Sequence, residues 1–275
     1  MTETEFSSLP IGIFDSGVGG LTVLKAIRSE LPDENLLYLG DTARLPYGTK
    51  SPASIERYAL QATAKLQERG IKLLVVACNT ASAVALHQLA AQLDPIPVIG
   101  VVEPGASAAV AATPAGAHLV LATEATVRLG AYRKAILARD SAAQVREQPC
   151  EMLVSLAEEG WTEGEIADSI IRRYLDDATS DGFIPTSIIL GCTHFPLLFD
   201  SIAALVGDAV RVVDSASTTA KAAHQALAAA DTMNSSSSPA SLELLATDGA
   251  TRFARVGGRF LGQPLTASDV DLVDL

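Results

Sequence analysis

Two cysteines, Cys78 and Cys192, stand in the same local pattern at distant points of the chain. Each follows a short apolar run, at 73–77 and 187–191, and each precedes two hydrogen-bonding residues and a helical pattern. An apolar run without alternation is typical of a strand buried on both faces of a parallel sheet. Each thiol is therefore predicted where a strand ends and a helix begins. Ligands bind at that edge of α/β sheets, and a helix N-terminus favours a thiolate.

Several kinds of chemistry are open to these cysteines. The spacings of zinc sites and of thioredoxin-like pairs are missing, and structural thiols would not explain the polar residues that follow. Either cysteine could pair with His194 as a hydrolase nucleophile, which leaves the other cysteine unexplained. Proton transfer at a carbon uses both, because one thiolate removes a proton from one face and the opposite thiol delivers one to the other face. Such a pair inverts a stereocentre with no organic cofactor, and the sequence predicts no metal.

A third strand end carries further polar residues. Ile11–Phe14 reads as a buried strand, and Asp15, Ser16 and a glycine-rich turn at 17–20 follow it. The turn matches neither a dinucleotide fingerprint nor a P-loop, so a nucleotide site is disfavoured. We expect Asp15 and Ser16 to point into a cleft, with the glycines letting the backbone approach a small ligand closely.

The loop from Gly40 to Pro52 is long for a compact α/β protein, and long ordered loops are often functional. Asp41 and Arg44 are spaced to pair with each other. Tyr47 and Gly48 are expected to present a phenol and a free backbone N–H to the cleft.

Composition limits the class of protein. A chain of 275 residues with 48% hydrophobic residues can fill two cores. A net charge of −12 disfavours nucleic-acid and anionic-membrane partners. No signal peptide, membrane-spanning run or disulfide framework is recognisable, so we expect a cytoplasmic protein with reduced thiols.

The predicted fold is α/β, with two similar open-sheet domains of mostly parallel strands and a cleft between them. The predicted domains are 1–101 with 209–275, and 102–208. Val210–Val213 is expected to return to the first domain, and one helix is expected from about residue 124 to Arg139. Cys150 lacks a recognisable strand-to-helix setting and is interpreted as structural, and Glu158 would ordinarily be a solvated charge at a helix end.

Several of these segments together resemble the glutamate racemase family. The residues that carry the resemblance form four motifs, with weaker matches at 214–215 and 260–262: Phe14-Asp15-Ser16-Gly17-Val18-Gly19-Gly20, Gly40-Asp41-Thr42-Ala43-Arg44 with Pro46-Tyr47-Gly48, Ala77-Cys78-Asn79-Thr80-Ala81, and Leu190-Gly191-Cys192-Thr193-His194-Phe195-Pro196-Leu197-Leu198. The resemblance runs from about residue 11 to residue 262.

The resemblance implies a cofactor-independent enzyme that interconverts L- and D-glutamate, supplies D-glutamate for peptidoglycan and often forms a dimer. It implies that Cys78 and Cys192 are the acid–base pair, and that Asp15, Glu158 and His194 tune the thiols. It also implies a set of glutamate-binding residues: Asp15, Ser16, Pro46, Tyr47, Gly48, Asn79, Thr80, Thr126, Thr193 and His194.

The chain departs from the family pattern at two places in the second domain. Leu129 stands where the family often has serine, and Glu151 follows Cys150 where the family often has proline. Three alternatives remain open at this point: an aspartate or hydantoin racemase of the same fold, an amidohydrolase that uses one of the two cysteines, and a non-enzymatic binding protein for acidic amino acids.

Overall fold

Ten β-strands form two separate parallel sheets in the computed structural model, which describes residues 3–236 and 238–275. In chain order the strands are β1 (Ile11–Asp15), β2 (Leu36–Gly40), β3 (Leu73–Val76), β4 (Val98–Gly100), β5 (Ala117–Ala122), β6 (Gln144–Pro149), β7 (Ser187–Gly191), β8 (Arg211–Asp214), β9 (Leu242–Ala246) and β10 (Asp271–Leu272). The first sheet has the order β10-β9-β2-β1-β3-β4, and the second has the order β6-β5-β7-β8.

Helices cover both faces of the two sheets. They are α1 (Glu3–Ser7), α2 (Leu21–Glu30), α3 (Pro52–Glu68), α4 (Asn79–Leu93), α5 (Val102–Ala112), α6 (Glu124–Leu129), α7 (Ala131–Arg139), α8 (Glu151–Glu159), α9 (Glu165–Thr179), α10 (Phe199–Val206), α11 (Ser215–Ala229) and α12 (Ala250–Leu261). Short 3-10 turns lie at Tyr47–Thr49, Phe195–Leu198 and Ala267–Asp269.

Central strands are buried on both faces, as continuous apolar runs predict. Residues of β1 and β3 that point to opposite faces belong to two different apolar clusters, one on each side of the first sheet. The second sheet likewise has one cluster on each face, and β5 and β7 contribute to both. These observations confirm the predicted α/β class with two open, parallel sheets.

The strand expected to return to the first sheet does not do so. β8 pairs with β7, with Val212 beside Ile188, and therefore belongs to the second sheet. The chain returns one element later, because Ala216, Ala220 and other residues of α11 pack into the apolar cluster of the first sheet. A short apolar run carries no information about which sheet it joins, so the prediction for this strand was wrong. The domain limits themselves stay a prediction.

One further local expectation was wrong, and two elements were not predicted. The predicted helix from residue 124 to Arg139 is two helices, because Gly130 adopts a left-handed conformation with φ of 61° between them. The α5 helix went unpredicted because Pro104 and Gly105 lie in its first turn. The β6 strand was missed because it is a partly exposed edge strand with a mostly polar sequence.

Candidate active site

A cavity of about 260 Å³ lies at the carboxyl ends of strands from both sheets. Thiols from both halves of the chain line it, since Cys78 follows β3 and Cys192 follows β7. The cavity also receives eight of the other residues that the sequence singled out: Ser16, Pro46, Tyr47, Gly48, Asn79, Thr80, Thr193 and His194. The remaining three, Asp15, Thr126 and Glu158, lie behind this lining and contact it.

Cys78 lies in the setting that the sequence predicts. It is the N-cap residue of α4, and its Sγ accepts a hydrogen bond from the Ala81 N–H at 3.4 Å. The Ser16 hydroxyl lies 3.5 Å from the same sulfur, because β1 and β3 are neighbours in the sheet and end side by side. The Cys78 thiol donates to this hydroxyl oxygen, so the first strand end supplies a hydrogen-bond acceptor to the first thiol.

The surroundings of Cys78 favour the protonated thiol. Burial first and the nearby Asp15 carboxylate second raise its pKa to about 12, against smaller lowering effects of the Ser16 and Ala81 hydrogen bonds. A helix N-terminus favours a thiolate, but here it does not bring the pKa of Cys78 close to neutral. Burial outweighs a single backbone N–H.

Cys192 is not at the start of an α-helix. The chain after it turns through Thr193 and His194 into the 3-10 turn, and α10 begins only at Phe199. Pro196 lies in the first turn of this 3-10 segment, a position that tolerates proline. The predicted symmetry of the two cysteines thus holds for their strands and fails for their helices.

The group beside the Cys192 sulfur is the His194 side chain rather than a helix N-terminus. Its Nδ1 lies 3.7 Å from the Cys192 Sγ and 3.4 Å from the Thr193 hydroxyl, and its Nε2 lies 3.4 Å from a Glu158 carboxylate oxygen. Burial alone lowers the pKa of His194, but the hydrogen bonds with Cys192 and Glu158 outweigh burial and raise it to about 10. A cationic imidazole beside a sulfur favours the thiolate.

Helix α12 holds the Glu158 carboxylate in place. The Arg252 guanidinium donates to its second oxygen at 2.6 Å, and Arg259 donates to the Glu158 backbone oxygen at 2.7 Å. The hydrogen bond from His194 first, with Arg252 assisting, holds the pKa of Glu158 below its usual value despite partial burial. Phe260 of the same helix sets its ring edge-on to His194, with 5.0 Å between the centroids. Glu158 is thus a paired group rather than a solvated helix-end charge.

Asp15 lies directly behind the cavity wall. Its side chain accepts hydrogen bonds from the Gly17 N–H at 2.9 Å and from the Tyr38 hydroxyl at 3.4 Å. Burial raises its pKa, while backbone N–H groups and the His194 charge counteract part of that effect. Asp15 therefore does not line the cavity and lies close enough to His194 for the charges of the two side chains to interact.

The glycine-rich turn lies where the two halves of the protein meet. A Cβ on Gly19 would lie 2.4 Å from the Thr193 hydroxyl oxygen and 2.5 Å from His194 ring atoms, and one on Gly20 would lie 2.5 Å from the Asp15 Cβ. The Thr22 hydroxyl also donates to the Thr193 carbonyl at 2.8 Å. Gly19 therefore allows the two halves of the protein to touch, neither glycine lines the cavity, and the expectation that the glycines admit a ligand stays a prediction.

The phenol of Tyr47 is engaged by the loop itself. It donates to the Asp41 carboxylate at 2.6 Å, so Tyr47 lines the cavity with its hydroxyl proton already engaged. Arg44 also donates to Asp41 at 2.6 Å, which confirms the pairing expected from their spacing. Burial and the adjacent Asp41 charge both raise the pKa of Tyr47, so the phenol keeps its proton. Its ring packs against Phe14 and Tyr58 and forms one wall of the cavity.

Thr126 contacts the cavity through another residue. Its fully buried hydroxyl lies 3.2 Å from the Thr80 hydroxyl and 3.1 Å from that of Thr123. Thr80 and Thr123 themselves line the cavity. This cluster connects the start of α4 with the start of α6, and Thr126 supports it from behind.

Sequence reasoning missed five lining residues. They are Thr49, Thr123, Glu151, Val154 and Ser155. The last three belong to the first turns of α8, which follows the unpredicted strand β6. Thr49 lies in the loop before α3, and Thr123 is the N-cap residue of α6. Cys150 precedes α8, so the judgement that it lacks a strand-to-helix setting was wrong. Its buried sulfur lies 3.4 Å from the Gln148 carbonyl and does not line this cavity.

Two features are absent from the described part of the chain, residues 3–236 and 238–275. Within it, no three or more His, Cys, Asp or Glu side chains group in a way that could hold a metal ion. None of the helices there combines the length and the hydropathy needed to span a bilayer.

Comparison with known proteins gives consistent results. The sequence model of the Asp/Glu/Hydantoin racemase family matches residues 19–223. The glutamate racemase of Geobacter metallireducens is 48% identical over 93% of each chain, and that of Neisseria meningitidis serogroup A is 41% identical over 97% of each. The crystal structure of glutamate racemase from Francisella tularensis in complex with D-glutamate superposes with a TM-score of 0.89 at 34% identity, over 98% of each chain.

Proposed function

The chain belongs to the Asp/Glu/hydantoin racemase family, and on that premise we propose that it is a glutamate racemase that works with two cysteine bases. The observation that carries the proposal is the single cavity lined by Cys78 from one sheet and Cys192 from the other. Two proton-transfer groups that reach one space from separate halves of a protein can address opposite faces of one carbon.

The surroundings of the two thiols suit opposite starting states. The His194 imidazole lies 3.7 Å from the Cys192 sulfur, within reach of its proton, while burial keeps the proton on Cys78. In one direction the Cys192 thiolate takes the proton from Cα, and the electron pair left behind spreads into the adjacent carboxylate. The Cys78 thiol then delivers its proton to the other face, so one S–H bond forms as the other breaks. The reverse direction uses the same groups in exchanged states.

Hydrogen-bond donors around the cavity suit a small dicarboxylate. The hydroxyls of Ser16, Thr80 and Thr193 and the amide of Asn79 face the same space as the thiols. Asn79 and Thr80 also open α4, whose first backbone N–H groups favour an anion. Donors of this kind lower the barrier only where they stabilise the charge that develops on the carboxylate during proton removal.

The choice of glutamate over aspartate or a hydantoin rests on the named relatives. One methylene changes binding in a pocket by only about 1–3 kcal/mol, so a substrate panel is the direct measurement. We further propose that the protein is a cytoplasmic homodimer without a nucleic-acid or membrane partner, and that its D-glutamate is used for peptidoglycan. Molar mass in solution tests the dimer.

The decisive experiment is incubation with L-glutamate in deuterated water without added cofactor. We expect exchange of the α-hydrogen, and optical rotation should fall to zero. Cys78→Ser and Cys192→Ser should each lose racemisation while still binding glutamate. Cys150→Ala is the matched control and should racemise normally, because its sulfur lies outside the cavity.

Other outcomes identify the alternatives. Normal turnover by either serine variant would refute the two-base assignment. A covalent acyl group on a single cysteine, detected by mass spectrometry, would instead indicate an amidohydrolase. Thermal stabilisation by glutamate without any hydrogen exchange would indicate a binding protein.

A further inference from the structure

The oxygen and the nitrogen of the Asn79 side-chain amide have different surroundings. Its carbonyl oxygen accepts a hydrogen bond from the Tyr132 hydroxyl at 2.7 Å, deep between α4 and α7. Its NH₂ group is buried, and among the residues that the structure describes it has no hydrogen-bond partner. The residue lines the cavity. A buried, unpaired donor is costly, and a ligand acceptor would relieve that cost.

Tyr132 is itself held rigidly. It is fully buried, and its ring lies against two glycines: a Cβ on Gly105 would be 3.3 Å from Cε1, and one on Gly191 would be 3.1 Å from Cε2. Gly191 immediately precedes Cys192, and Asn79 immediately follows Cys78. A single aromatic side chain of the second half therefore contacts the neighbours of both thiols. A ring that cannot shift places its hydroxyl at a fixed point.

An amide can face a cavity with either end, and the two ends differ in charge preference. The carbonyl end repels a carboxylate, and the NH₂ end binds it. We propose that the Tyr132 hydroxyl is a positioning group that fixes the Asn79 amide with its NH₂ toward the cavity, where it donates to a substrate carboxylate. This inference deepens the proposed function and rests on it for the identity of the carboxylate.

Tyr132 acts through Asn79, so its loss should be seen in binding. The Asn79 contact is present in the ground state and the transition state alike, and a change in such a contact raises KM and leaves kcat nearly constant. Tyr132→Phe should weaken binding of glutamate roughly 3- to 10-fold, the equivalent of one neutral hydrogen bond. The matched control is Tyr174→Phe, whose hydroxyl accepts from the Met152 N–H at 3.2 Å away from the cavity.

The experiment is calorimetric titration of the full-length protein with racemic glutamate, whose composition a racemase cannot change, together with racemisation kinetics. We expect a larger Kd and KM for Tyr132→Phe and unchanged values for Tyr174→Phe. Asn79→Asp keeps the acceptor for Tyr132 but turns a carboxylate oxygen toward the ligand, so it should weaken binding more than Tyr132→Phe. Adding Tyr132→Phe to Asn79→Ala should produce no further loss.

The other possible results each support or overturn the inference about Tyr132. Unchanged Kd and KM in a folded Tyr132→Phe protein, or independent losses from Asn79→Ala and Tyr132→Phe that multiply, would overturn the inference. Binding that weakens as expected in a protein without racemase activity would support the inference and refute the proposed function. A parent protein that fails to bind glutamate at all would overturn both.

Discussion

Gly19 offers a direct test of how closely the two halves must meet. In Gly19→Ala the new methyl group would lie 2.4 Å from the Thr193 oxygen and 2.5 Å from the His194 ring. An ordinary contact lies at about 3.5 Å, so these groups must retreat by about 1 Å. His194 is confined on its other sides by Glu158 and Phe260. Relief of the overlap therefore has to move Thr193 and His194, which line the cavity.

The displacement predicts a loss of kcat/KM and a loss of unfolding free energy. A misplacement of about 1 Å near the reacting groups can lower the rate about 100-fold, which we expect for kcat/KM of Gly19→Ala in the racemisation assay. An added methyl group in a filled space costs about 1–3 kcal/mol of unfolding free energy, and each kcal/mol shifts Tm by about 2–4 °C for a chain of this size class. The loss of rate should therefore exceed what the loss of stability explains.

Gly17→Ala is the matched comparison for stability. Its methyl group would meet Leu45 at 3.6 Å, an ordinary contact, and its backbone conformation is open to alanine. Alanine there restricts the unfolded chain, so Tm should stay level or rise slightly. The reasoning would be refuted if Gly19→Ala kept the parent kcat/KM, or if both variants lost the same amount of stability.

Two further variants test how charges are held. Arg252→Met should free the Glu158 carboxylate to turn from His194, so the pKa of His194 should fall from about 10, as followed by NMR titration of the labelled ring. The stability that protonated His194 contributes is full below its unfolded pKa of about 6.5 and is lost as pH rises through the folded pKa, so that loss should move to lower pH. Lys72→Met should leave the buried Glu34 carboxylate without its cation and lower the unfolding free energy by about 3–5 kcal/mol in urea denaturation, with racemisation of the remaining folded protein unchanged.

The controls come from the same elements. Arg255→Met on α12 removes a cation that makes no contact with Glu158 in the described structure, and it should leave the His194 titration as it is. A rise of that pKa in Arg252→Met would mean that Arg252 acts only as a nearby positive charge. For the buried pair, Lys65→Met removes a partly exposed partner and should cost less than about 1 kcal/mol.

The parts of the fold that the sequence predicts are those in which one local signal decides the structure. The apolar runs before Cys78 and Cys192 specify strands buried on both faces, and both strands occur. The polar edge strand β6 carries no such signal, and its absence from the prediction also hid Val154 and Ser155 in the cavity wall. The sheet that β8 joins depends on contacts far apart in the sequence.

The site follows the same rule. Strand ends predicted which residues meet at the cavity, and local sequence predicted the pairing of Asp41 with Arg44. The environment of each thiol depends on burial and on neighbours from other elements. The raised pKa of Cys78 and the support of His194 by α12 were therefore beyond the reach of local patterns.

Helix α12 lies near the end of the chain, yet it holds the carboxylate that holds His194. During biosynthesis both thiols leave the ribosome long before this helix does. A nascent chain thus carries its two sulfurs for some time before Arg252 can hold Glu158 against His194 beside Cys192. A fragment that stops before residue 250 therefore has both sulfurs but lacks the hydrogen bond from Arg252 to Glu158.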